Sequence, residues 1–79
     1  MIYPIGYPKN VFRDLGMANK RGASKTIRLS LENGTTSEVT LDKIDPQDGV
    51  FSFSGTSSTL GRIHGECSQT SGWIDDSPE

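Results

Sequence analysis

One cysteine and one histidine are all that this chain of 79 residues holds of either kind. With Cys67 alone, no internal disulfide can form. With only His64 beside it, a Cys/His zinc site is short of ligands. No apolar run approaches the length of about 18 residues that a membrane-spanning helix needs. The opening Met1-Ile2-Tyr3-Pro4-Ile5-Gly6 has no basic stretch leading into a long apolar one, so no signal peptide is expected. A lone cysteine without an export signal points to a reducing compartment, and cytoplasmic residence is the expectation. Apolar residues are scarce too, at 32%. A single small domain over residues 1–79 buries little surface, so oligomerisation or docking on a partner is the remaining way to add buried area.

Charge is present but lopsided. Residues 1–31 carry Lys9, Arg13, Lys20, Arg21, Lys25 and Arg28 against Asp14 alone, six cations and one acid, or +5. Residues 32–79 carry Lys43 and Arg62 against Glu32, Glu38, Asp42, Asp45, Asp48, Glu66, Asp75, Asp76 and Glu79, two cations and nine acids, or −7. The net charge of −2 hides this dipole. Such segregation implies a charged partner, or two halves of the chain that attract each other.

Along the chain, Pro4, Gly6 and Pro8 make residues 1–8 an extended arm, and Ile2, Tyr3, Ile5 and Tyr7 suit an arm laid across the core. Asn10 can cap a helix over residues 11–20, with Val11 and Leu15 on one face and Gly22 as the stop. From Lys25 the period changes to two. Ile27, Leu29 and Leu31 alternate with polar residues up to Asn33-Gly34, a strong hairpin signal. Val39 and Leu41 resume the alternation, and Ile44 falls on the wrong parity, which predicts a bulge near Lys43. Residues 45–49 read as a turn, 50–53 as a third strand, 55–59 as a Ser/Thr-rich loop and 60–67 as a fourth strand. Trp73-Ile74 reads as a short closing strand, with residues 75–79 as a fraying acidic tail. The fold class expected is α+β: a short N-terminal helix plus a small curled antiparallel sheet or barrel of four or five strands.

The run Ile27-Arg28-Leu29-Ser30-Leu31-Glu32-Asn33-Gly34, followed by Leu41, Ile44 and Asp45, resembles the first motif of the Sm-like (Sm/Hfq-type) small barrel. Leu60-Gly61-Arg62-Ile63-His64-Gly65 looks like a shortened second motif, so that the resemblance covers residues 10–74. It implies a helix followed by strongly bent strands. The family's RNA-contacting residues do not carry over: Asp48-Gly49 falls where they would stand, and Asp48 repels phosphate. Val39 occupies the place of the family's mid-strand glycine.

Chemistry finds little support. His64 and Glu66 share one face of the fourth strand while Cys67 faces the other way, so a Cys–His nucleophile pair does not form there. Asp42, Asp45 and Asp48 lack the alternating ligand spacing of a calcium loop. Residues 16–26 miss the phosphate-loop spacing and have their strand on the wrong side. No cofactor and no catalytic residue is expected. Two binding features remain. The basic segment Lys20, Arg21, Lys25 and Arg28 suits phosphate or acidic protein. The acidic set Glu32, Glu38, Asp42, Asp45 and Asp48 suits a basic surface on another protein. The expectation is a non-enzymatic binding protein, a stoichiometric regulator or inhibitor with a protein partner. Phage and mobile-element proteins that block a host nucleic-acid machine are of this kind. A nucleic-acid-binding barrel is the alternative, and a homo-oligomer a further one.

Overall fold

The computed structural model describes residues 1–21 and 25–76. The helix stop at Gly22, the linker that follows it and residues 77–79 of the acidic tail lie outside them. Strand β1 (Ile2–Pro4) precedes helix α1 (Pro8–Arg21). Strands β2 (Lys25–Ser30), β3 (Thr36–Gln47), β4 (Val50–Ser57), β5 (Gly61–Cys67) and β6 (Gly72–Asp75) follow as an antiparallel meander. The sheet order is β1-β6-β5-β4-β3-β2. The fold is thus one short helix on a curled sheet of six strands, where the sequence suggested four or five.

The arm does more than cover the core. Tyr3 pairs with Ile74 of β6, and one step later the chain reaches the opposite edge. The amide of Gly6 donates to the Ser30 carbonyl at 2.7 Å, and that of Glu32 to the Pro4 carbonyl at 3.0 Å. Ile5 bridges Leu31. The two ends of the meander therefore meet at one rim, which removes part of the edge that short strands would otherwise expose.

Two local features set the curl. A bulge between Leu41 and Lys43 lets Asp42 and Lys43 both face outward and returns Ile44 to the inner side, opposite Phe53. Gly55 lies opposite Leu41 at this bulge, and Gly65 lies opposite Ile74. A Cβ at either glycine would overlap a neighbouring strand's carbonyl, that of Thr40 or of Trp73. Only residues without a side chain allow the strands so close an approach.

Helix α1 closes the inner side. Val11, Leu15 and Ala18 fall at helical spacing and are buried. They meet Ile27, Leu29, Val39, Leu41, Phe53, Ile63 and Ile74 in one core. Phe12 packs on Phe51 at a ring separation of 5.0 Å.

The helix begins earlier than Asn10 suggested. Pro8 is its first residue, and the amides of Asn10 and Val11 donate to the Tyr7 carbonyl at 3.1 Å. Proline suits a first helical turn because its missing amide is not needed there. Asn10 is therefore inside the first turn and is not the cap.

The turn expected over residues 45–49 shrinks to Asp48-Gly49, which have φ of 53° and 78°, the hairpin geometry that matches strand twist. Asp45 and Pro46 remain in β3, paired with Ser52 and Phe51. The expected loop at 55–59 is mostly strand, since β4 runs to Ser57. Asp75 belongs to β6, paired with His64, and not to a frayed tail.

Candidate outer-face groove

Alternation fixes what faces outward on strands β3 to β6. With Phe53, Ile63 and Ile74 turned to the core, their neighbours Ser52, Ser54, Arg62, His64, Trp73 and Asp75 must turn away from it. Cross-strand register arranges these into rows. Asp45, Ser52, Glu66 and Trp73 stand side by side on four successive strands. Lys43, Ser54, His64 and Asp75 form the next row. In these rows β4 turns only serines outward, so a groove of about 730 Å³ runs over it, bordered by the longer side chains.

The groove carries four carboxylates, Asp42, Asp45, Glu66 and Asp75, against two cations, Lys43 and Arg62. Within it the Arg62 guanidinium meets Asp42 Oδ2 at 2.6 Å. Ser54 Oγ donates to Asp42 Oδ1 at 2.8 Å. The hydrogen bonds from Arg62 and Ser54 hold the Asp42 carboxyl below its usual range. Asp45 and Glu66 have no ion pair or side-chain hydrogen bond among the described residues. The His64 ring meets the Trp73 indole edge-on, with centroids 6.0 Å apart.

The structure thus brings together only part of the acidic set singled out in the sequence. Asp42 and Asp45 line the groove. Glu38 lies on the outer face two strands away from β5, directly opposite Arg28 of β2, so that a member of each charged set faces the other. Glu32 is exposed in the β2–β3 hairpin loop, and Asp48 sits at the exposed tip of the β3–β4 hairpin. Lys20 is exposed in the last turn of α1, where Arg21 ends the helix, and Lys25 opens β2 opposite Leu41.

Sequence reasoning passed over Glu66, Arg62, Trp73 and Asp75 as groove residues. The signal was available: Trp73 and Ile74 are adjacent in a strand, and both cannot face the core. Cys67 is buried on the far side of β5 from His64, and burial pushes its thiol up to about 11.

Among the described residues, no cluster of three or more His, Cys, Asp or Glu is arranged to hold a metal ion, and no helix is long and apolar enough to cross a membrane. No protein-family model matches the chain, and neither does a curated protein or a solved structure. The reading of the groove therefore stands on its own geometry and charge.

Proposed function

We propose that this chain is a non-enzymatic binding domain, a stoichiometric regulator or inhibitor that docks on a protein partner through the outer face of β3–β6. The observation that carries the reading is the groove, in which Asp45 and Glu66 stand, unpaired among the described residues, beside an outward-facing tryptophan. A carboxylate without an internal partner does little for the fold, but across an interface it steers encounter and sets register with a basic surface. The separation of Cys67 from His64 by the sheet itself agrees with binding more than with nucleophilic catalysis.

The test is affinity capture with the wild-type chain and with an Asp45→Lys/Glu66→Lys double variant, compared by mass spectrometry. A protein held by the wild type and lost by the variant, at unchanged circular dichroism, is the expected result. Equal capture by both chains, or capture of nothing but the chain itself, overturns the reading.

The curled sheet with its helix also agrees with the second reading, a nucleic-acid-binding Sm-like small barrel that uses residues 20–28. That reading requires a gel shift whose log affinity falls steeply with log salt and weakens in Lys20→Glu/Arg21→Glu. The placement of Arg28 opposite Glu38 counts against it.

A further inference from the structure

We propose that the groove is an arginine-binding notch: the guanidinium of a partner protein's arginine sits over Ser52, with the carboxylates of Asp45 and Glu66 on either side. The inference rests on the protein-docking reading above and specifies its chemistry. Register carries the first part. Asp45 pairs with Ser52, and Ser52 with Glu66, so the two carboxylates flank one serine on the same face. Adjacent strands are about 4.8 Å apart, which places the two backbones roughly 10 Å from each other across the short serine side chain. A planar group with donors on both edges fits between two such acceptors. Guanidinium offers donors in a fixed fork, whereas an ammonium acts as a compact point charge.

Charge carries the second part. Arg62 is engaged with Asp42, so its charge is met inside the groove. Asp75 is engaged by the N-terminal ammonium of Met1 at 3.2 Å, and the remaining lining of Asp45 and Glu66 against Lys43 stays acidic. An acidic groove repels phosphate and gains nothing electrostatically from a neutral sugar. Trp73 carries the third part. It is the cross-strand neighbour of Glu66 and presents a half-buried indole to the groove. An arginine's aliphatic stem or a second guanidinium can lie against such a ring, as weakly hydrated cations and their stems do.

Trp73 is also the chain's one tryptophan, so its fluorescence reports directly on the groove. The experiment titrates the full chain with acetyl-Gly-Arg-Gly-Arg-Gly-amide, its lysine counterpart, inorganic phosphate and a neutral oligosaccharide. It follows Trp73 emission and the amide NMR shifts of Ser52 and Glu66. The arginine peptide should give a saturable change at all three residues. Asp45→Asn/Glu66→Gln, which removes charge and keeps shape, should weaken it by about tenfold or more, as loss of charge-assisted hydrogen bonds does. No saturable change at millimolar peptide, an equal response to the lysine peptide, or a response to phosphate or sugar instead overturns the notch. The captured partner then separates the two ideas. If Asp45→Lys/Glu66→Lys releases that partner while the arginine peptide neither binds nor competes, the notch falls and protein docking stands. If the partner is also retained, both fall.

Discussion

The inner and outer faces of strands β3–β6 are drawn alternately from the same short stretches of chain, and they are built to opposite ends. Inward, Val39, Ile63, Cys67 and Ile74 have essentially no exposed surface, and two glycines let the strands close on one another. Outward, serines, carboxylates and a tryptophan border an open groove. The inner face determines whether the chain folds, and the outer face is free to vary in what it touches. Core substitutions should therefore act on stability and groove substitutions on binding, with little crossover.

The largest effect that would break this division belongs to Gly65. A Cβ there meets the Trp73 carbonyl and the Ile74 backbone, neither of which can swing aside. Gly65→Val should cost about 4 kcal/mol or more, the range of severe core lesions, and the chain should be unfolded by far-UV circular dichroism at room temperature. A folded Gly65→Val would mean that the strands tolerate a wider separation, and the curl would need another cause.

Next comes the core itself. Leu29 is fully buried, and Leu29→Ala should destabilise by about 2–5 kcal/mol in denaturant titration. A domain of this size has a total stability of roughly 4–12 kcal/mol, so this is a large share. Asp45→Ala and Glu66→Ala, on exposed positions, should stay within about 0.5 kcal/mol of wild type. A groove variant as damaging as the core variant would erase the contrast between the faces.

Cys67 supplies a chemical readout of the inner face. Its thiol is fully buried, and that burial pushes its pKa up to about 11. Near pH 8 the folded chain should resist iodoacetamide, because the thiolate is the nucleophile. Modification should wait for opening of the sheet, so Leu29→Ala should accelerate it by about tenfold or more if opening is global. Rapid labelling of the wild type, followed by mass spectrometry, would show that β5 opens locally.

What the sequence disclosed follows from what alternation can encode. The hairpin at Asn33-Gly34, the bulge near Lys43 and the inward set Ile27, Leu29, Val39 and Leu41 all stand as their parity implied. Boundaries fared worse where a residue type misleads. Pro46 suggested a turn, yet proline is tolerated inside β3, where Pro46 pairs with Phe51. Asn10 suggested a cap, yet Pro8 already sets the first turn. The pairing of β1 with β6 was not legible, because it joins residues from opposite ends of the chain, Ile2 and Asp75 for example. Nor was the groove, since rows across four strands require the register, and the register depends on the bulge.

The smallest effect concerns the Arg62–Asp42 ion pair in the groove. Arg62 and Ser54 hold the Asp42 carboxyl below its ordinary value, Arg62 being the larger cause. The sign follows directly. A carboxyl whose pKa is lower folded than unfolded adds stability above the unfolded value of about 3.9 and loses it as pH falls through the folded one. Both partners are well exposed, at 64% and 50% of the side chain, so screening by water and salt keeps the contribution small. Arg62→Gln should therefore leave neutral-pH stability almost unchanged. It should nevertheless raise the Asp42 carboxyl midpoint toward the usual range, read by carbon NMR titration, with Ser54 still holding it partly down. Any stability difference between wild type and Arg62→Gln should shrink as pH falls below about 4 and vanish only beneath the lowered wild-type value, where Asp42 is protonated in both. A midpoint unmoved by Arg62→Gln would mean that the guanidinium is free in solution. The groove would then hold an uncommitted internal cation, and its preference for an incoming arginine would be correspondingly weaker.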